Sequence, residues 1–211
     1  MGVSKTIKKE KGYSVSKLTI VYPSGATPLD PDEMGGLIPK YITTQGELNQ
    51  LERTNILEAT QWALGKTTHD CLNISFCMNL HERMFSKVWK WAGTIRLTDK
   101  KPGVPKEQIN MKLKGLMDNT AYWIQHEVYG FDEIAARFHH GLVFVHVFAN
   151  GNGRHARLMT EVLQTVNGET PFTWGSSDLY NSESRARKEY ISSLKAADQN
   201  DFAPLLKFVR S

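Results

Sequence analysis

The chain has 211 residues, 40% hydrophobic and 23% charged, enough to bury one core and make one domain. Its formal charge of +4 is mild and much of it lies on Lys5, Lys8, Lys9, Lys11 and Lys17, so nucleic acid is not the expected partner. No apolar run approaches the roughly 18 residues of a membrane span, no signal-peptide core opens the chain, and Cys71 and Cys77 lack a second pair to complete a metal site. A soluble, reducing, cytoplasmic setting without a membrane follows as the expectation, with both cysteines as buried thiols.

Residues 1–40 read as a less regular N-terminal arm, with residues 41–211 forming the main domain. Within the arm, Lys17 to Tyr22 alternates weakly as a short strand, and Pro23-Ser24-Gly25 and Pro28 to Asp32 carry turn chemistry. A long helix is expected from Thr44, where Thr44 and Glu47 have capping-box spacing, to Gly65, with Leu48, Leu51, Ala59 and Trp62 inward. A second is expected from about Asn73 to Trp91, on a stripe of Ile74, Cys77, Met84, Val88 and Trp91. The stretch Leu97-Thr98-Asp99-Lys100-Lys101-Pro102-Gly103-Val104-Pro105 cannot be helical and reads as a short β-hairpin flap. A third helix is expected over 108–129, with Ile109, Leu113, Leu116, Ile124 and Val128 inward. Asp132 is the expected cap of the next, which carries Phe138 and Leu142 to His146. Asn167-Gly168 stops the helix that follows. Further helices are expected over 182–197 and after Asp201. The fold class is therefore all-α, with one small β flap.

The chemistry concentrates in His146-Val-Phe-Ala-Asn-Gly-Asn-Gly-Arg-His-Ala-Arg157. Two glycines and two asparagines in four residues end one helix and open the next. A glycine-rich turn feeding a helix start directs unpaired N–H groups and the positive end of the dipole outward, which is an anion site. Arg154 and Arg157 in the first turn are unfavourable for the helix itself and make sense opposite a polyanion. His146 supplies a proton acceptor near neutral pH. His139, His140 and His155 read individually as packed histidines.

This segment resembles the signature of Fic-domain proteins, His-x-Phe-x-(Asp/Glu)-Gly-Asn-Gly-Arg-x-x-Arg. All fixed positions match except Asn150, where the family has a carboxylate. The resemblance runs from about Thr43 to the C-terminus and is strongest to the branch called mobile mystery protein B. It implies a Fic-type helical bundle and transfer of AMP from ATP to a Tyr, Thr or Ser hydroxyl of a target protein. It assigns His146 as base, and Gly151, Asn152, Gly153, Arg154 and Arg157 to the nucleotide phosphates: Asn152 to α, Arg154 to β, Arg157 to γ. It makes Asn150 a weak ligand for Mg²⁺, since an amide brings no charge. Leu97, Thr98, Asp99, Lys100 and Lys101 become the flap that pairs with the target's backbone. Relatives are restrained by a glutamate that blocks the γ-phosphate, for which Glu33, Glu47 and Glu58 are the candidates here, or in trans by a helix-turn-helix partner. The alternatives are a non-catalytic nucleotide- or partner-binding module, and transfer of another phosphate-containing group.

Overall fold

The computed structural model describes residues 28–65, 70–176, 179 and 184–211. The strand expected over 17–22, the turn at 23–25 and the helix start at Ser182 lie outside them. Eight α-helices follow among the described residues: α1 (Pro31–Met34), α2 (Gln45–Leu64), α3 (Ile74–Phe85), α4 (Ile109–Gln125), α5 (Phe131–Val145), α6 (Asn152–Val166), α7 (Arg185–Ala197) and α8 (Ala203–Val209). None is long and apolar enough to cross a membrane.

α2 begins as its sequence dictates. The Thr44 hydroxyl accepts from the Glu47 N–H, and the Glu47 carboxylate accepts from the Thr44 N–H at 3.0 Å. α5 and α6 form the central antiparallel pair, with Phe138, Leu142, Met159 and Leu163 inside the main core. α2 and α3 cover one side of this pair and α4 the other. A second apolar cluster joins α7 and α8 to the outer face of α5 through Ala135, Ala136, Tyr190, Leu205 and Phe208. The packing thus fixes one end of the α5–α6 hairpin, where the motif lies, between α2 and α3 on one side and α7 on the other.

Several expectations change. The second helix stops at Phe85, not Trp91, because side chains and a neighbouring segment take the backbone groups that would continue it. Asn55 of α2 donates to the Arg83 carbonyl at 2.7 Å and accepts from the Lys87 N–H at 3.1 Å. The 36–38 segment then pairs with 88–90, through Ile38 N–H to Val88 O and Lys90 N–H to Gly36 O, both 2.9 Å. α4 ends at Gln125, leaving Val128 43% exposed, so Val128 is not an inward residue. Gly130, not Asp132, precedes α5. Asp132 lies in the first turn and pairs with Arg210.

The flap carries no strand pairing. Residues 97–105 form an irregular loop, because one side chain occupies the carbonyls a hairpin would use. Arg96, 3% exposed, donates from Nη1 to the Thr98 carbonyl at 2.6 Å and from Nη2 to the Val104 carbonyl. Asp99 accepts from the Lys106 N–H at 2.9 Å and closes the far end. A loop satisfied by side chains has no need of a ladder.

Candidate active site

α5 ends on His146, whose φ of 55° and ψ of 61° place it in the left-handed region. A non-glycine residue there costs about 1–2 kcal/mol, so something must hold it. Arg96 does: its Nε donates to the His146 carbonyl at 2.6 Å, and its own N–H donates to the Val147 carbonyl at 3.0 Å. The same guanidinium that organises the flap therefore fixes the backbone of the expected base. Burial lowers the pKa of Arg96, with Asp99 opposing.

His146 is 6% exposed. Nδ1 lies 3.3 Å from the Val143 carbonyl, which can only accept, so the proton sits on Nδ1 and the lone pair on Nε2. Burial is the main cause that lowers its pKa to about 4, with the charges of Arg96 and Lys100 adding to it. At neutral pH the ring is an uncharged proton acceptor. Gly103 of the flap sits directly against it: a Cβ there would lie 3.1 Å from the His146 Cβ and 2.9 Å from Arg96 Nη2, at a φ of +145°.

The turn after His146 is tied from within. Phe148 is fully buried and stacks on His81 with centroids 3.6 Å apart. The Asn152 side chain closes the loop on Phe148 twice, accepting from its N–H at 2.9 Å and donating to its carbonyl at 2.8 Å. The amide expected at the α-phosphate is thus engaged inside the loop, and what Asn152 offers an anion is its backbone N–H. Gly151, at φ +80°, precedes α6 and provides no side-chain cap. The first-turn N–H groups of Asn152, Gly153 and Arg154 have no acceptor within the helix by geometry, so the turn presents a cluster of donors at the positive end of the helix dipole. A Cβ on Gly151 would meet the Phe85 ring at 2.6 Å, which keeps the turn pressed against α3.

Two residues that sequence patterns alone did not single out hold this cradle. His81 of α3 accepts the Gly93 N–H on Nδ1 at 3.0 Å and lies with Nε2 3.1 Å from the Asn150 carbonyl, to which it donates. Burial, then the neighbouring His155, keeps its pKa well below the usual histidine value. Glu52 of α2, 7% exposed, pairs with Arg154 and accepts from Trp89 Nε1 at 2.7 Å. Arg154 also lies over the Phe85 ring, 4.8 Å from its centroid. Glu52 sits at a core position of an amphipathic helix, and a buried carboxylate on such a face was the signal available.

The remaining expected residues fall as follows. Arg157 leaves the same face of α6 one turn on, with its guanidinium 5.9 Å from the Tyr190 ring of α7. Asn150 Oδ1 accepts from the Gly151 N–H at 2.7 Å and lies 3.3 Å from Arg154 Nη2. Two donors at that oxygen, one of them a cation, do not suit a Mg²⁺ ligand, and no group of three or more His, Cys, Asp or Glu among the described residues could hold a metal ion. Lys100 of the flap is 7% exposed and binds Asp30 at 2.8 Å and Glu33 at 2.7 Å. Thr98 donates to Asp30 at 2.7 Å, while Leu97 is 82% exposed. Glu33 is therefore spent on Lys100, Glu47 caps α2, and Glu58 pairs with Lys87. All three have these other partners, and among the described residues Glu52 is the carboxylate that pairs with Arg154. His139 and His155 are packed histidines, against Tyr190 and the Cys77 carbonyl. His140 lies 2.8 Å from Asp198. A surface cleft lined by Gly130, Asp132, Glu133 and Leu206 lies at the start of α5, the end opposite His146.

A helix start with first-turn N–H groups and two arginines is suited to an anion, and a buried neutral histidine is suited to accept a proton. The chain carries a domain of the Fic/DOC family, whose model matches residues 71–164. It is 31% identical over 186 residues to the protein adenylyltransferase fic-1 of Caenorhabditis elegans, a match covering 84% of this chain and 34% of that protein. It is 34% identical over 77 residues to the protein adenylyltransferase Fic of Nematostella vectensis, covering 36% and 16%. The chain thus spans about a third or less of the length of these relatives. Among solved structures, BepC of Bartonella tribocorum with bound AMPPNP superposes with a TM-score of 0.64 at 17% identity, covering 86% of this chain and 97% of that one. Residues 134–508 of C. elegans fic-1 superpose with a TM-score of 0.62 at 28% identity, covering 84% and 51%.

Proposed function

We propose that this chain transfers AMP from ATP to a hydroxyl side chain of a target protein. The observation that carries the reading is His146: a buried, neutral imidazole with its lone pair on Nε2, beside a helix start rich in donors. The naming of its relatives as protein adenylyltransferases supports the same assignment. The target's hydroxyl oxygen attacks the α-phosphorus of ATP, and the bond from that phosphorus to the bridging oxygen breaks. The hydroxyl proton passes to Nε2 of His146, and pyrophosphate leaves. Charge growing on the α- and β-phosphates is met by the backbone N–H groups from Asn152 to Arg154 and by the guanidinium groups of Arg154 and Arg157. Arg154 reaches the phosphates by exchanging or sharing its contact with Glu52. The flap loop, held against His146 through Arg96 and Gly103, presents Leu97, Thr98, Asp99 and Lys101 to the target, while Lys100 is turned inward onto Asp30 and Glu33.

Mg²⁺, which neutralises phosphate charge in such reactions, does not fit the Asn150 oxygen as it stands here, so it would enter with the nucleotide. A helix-turn-helix protein acting in trans is the regulatory partner this reading includes, since Glu33, Glu47 and Glu58 are all bonded elsewhere.

ATP labelled at the α- or the γ-phosphate, incubated with the protein and a cell lysate, tests the proposal, with His146→Ala as control. Protein label from the α position alone, absent in the control, supports AMP transfer. Label from the γ position, or from neither, refutes it in favour of kinase chemistry or a binding module.

A further inference from the structure

α2 lies before residues 71–164 that match the family model, yet it supplies the cradle with a carboxylate. Among the described residues Glu52 is the one buried carboxylate, and both of its oxygens are engaged. Oε1 accepts from Trp89 Nε1 at 2.7 Å, and Oε2 accepts from Arg154 Nη1. Trp89 is itself buried and stacks on Trp91 with ring centroids 5.1 Å apart, so the first bond gives Glu52 a firm support. The Arg154 guanidinium is thereby fixed in three ways. Glu52 holds Nη1, Asn150 Oδ1 lies 3.3 Å from Nη2, and the Phe85 ring covers one face at 4.8 Å from its centroid. A guanidinium carries five N–H donors in one plane, so these two bonds leave others for an anion at the start of α6.

We propose that Glu52 is a positioning residue for transfer: it stays paired with Arg154 while nucleotide binds and aims the guanidinium at the phosphate oxygen on which charge grows. The inference rests on the adenylyl-transfer reading for the reaction that it serves. An Arg154 that left Glu52 for phosphate would strand a buried carboxylate on one neutral donor, the costlier arrangement, so the contact is shared and not exchanged. The same carboxylate repels ATP as it draws near, which weakens binding of the resting nucleotide. Its benefit comes in the transition state, where a donor already in place costs no reordering. A merely structural Glu52, tying α2 to α6, would lower stability on substitution and leave the rate of the folded variant as it was.

The test compares Glu52→Gln with the wild-type chain in transfer of the α-label at saturating ATP and in calorimetric ATP affinity. Gln keeps the size of the side chain and an oxygen for Trp89 but removes the charge that holds Arg154. Transfer should fall at least about tenfold, while ATP affinity stays within about twofold or tightens. Normal or faster transfer by the folded variant overturns the proposal, as does a loss of ATP affinity as large as the loss of transfer. NMR of the Arg154 guanidinium, assigned with Arg154→Lys, gives a readout free of activity: its N–H groups should rotate slowly in the wild-type chain and fast in Glu52→Gln. Equal rotation in the two overturns the proposal. Should Glu52→Gln fail to fold, Glu52→Asp, whose carboxylate is one methylene too short to reach Arg154 from the same backbone, replaces it with the same outcomes. A wild-type chain that transfers no AMP, yet loses slow rotation on substitution of Glu52, refutes the adenylyl-transfer reading and upholds Glu52 as the holder of Arg154.

Discussion

Replacing Arg96 by Ala removes the group that joins the flap to the expected base. Three bonds go: Nε to the His146 carbonyl at 2.6 Å, Nη1 to the Thr98 carbonyl at 2.6 Å, and Nη2 to the Val104 carbonyl. Thr98 is exposed and water can replace its bond, but His146 and Val104 are 6% exposed. A buried acceptor left without a donor costs about 1–3 kcal/mol, so two cost about 2–6 kcal/mol. Part of this is recovered when water enters the space, and a net loss of about 3 kcal/mol is expected. The left-handed backbone of His146 adds to the consequence, since its strain of about 1–2 kcal/mol is no longer opposed and the ring turns away from its aligned position. Urea unfolding should therefore show a lower midpoint at an unchanged slope, and AMP transfer by the folded variant should fall at least about tenfold. ATP affinity should stay within about threefold, because the phosphate donors belong to α6 rather than to the flap. Arg96→Lys, with one donor site in place of three, should fall between the two. An Arg96→Ala variant with normal transfer, or one whose transfer fails only as its ATP affinity fails, would refute the account of Arg96 as the link between flap and base.

His146→Ala should abolish transfer and leave ATP affinity within about twofold, measured by the same label assay and by calorimetry, since it removes the proton acceptor and not the phosphate donors; loss of nucleotide binding would count against this division of roles. Acid should destabilise the fold steeply: His139 is lowered to about 3, His146 and His155 to about 4, and His81 well below its usual value, each chiefly by burial. Because the unfolded chain binds these protons first, stability is intact above about pH 6.5 and is lost as pH falls toward 4, on the order of 3 kcal/mol for each ring held near 4. Urea midpoints that do not move between pH 7 and pH 5 would contradict neutral burial of these rings. Gly151→Ala should cost more than about 1 kcal/mol and weaken ATP, because it strains a φ of +80° and drives a methyl into Phe85 at 2.6 Å; a thermal melt and a binding isotherm both unchanged would show that the turn adapts freely.

The sequence alone was sufficient wherever the controlling interactions are local. The capping box of Thr44 and Glu47, the stop at Asn167-Gly168, the helical periodicity of α2 and α5 and the His146–Arg157 pattern all depend on residues within a few positions of one another. An N–H cluster at a glycine-initiated helix is likewise a backbone property that composition reveals. Tertiary structure decided whatever depends on partners distant in the chain. α3 ends early because Asn55, 32 positions from Lys87, and the 36–38 segment take its backbone groups. The flap is a loop because Arg96 bonds its carbonyls and joins it to His146, 50 positions on. Glu52 meets Arg154 across 102 positions, and Tyr190 lies under Arg157 from a helix outside the matched family residues. Such contacts have no sequence period, since closing a long loop leaves no local signature, and a buried charge is recognised only once its partner is known. Asn150 draws on both: its missing carboxylate is read directly from the motif, but only the fold turns its oxygen toward the Gly151 N–H and the Arg154 guanidinium.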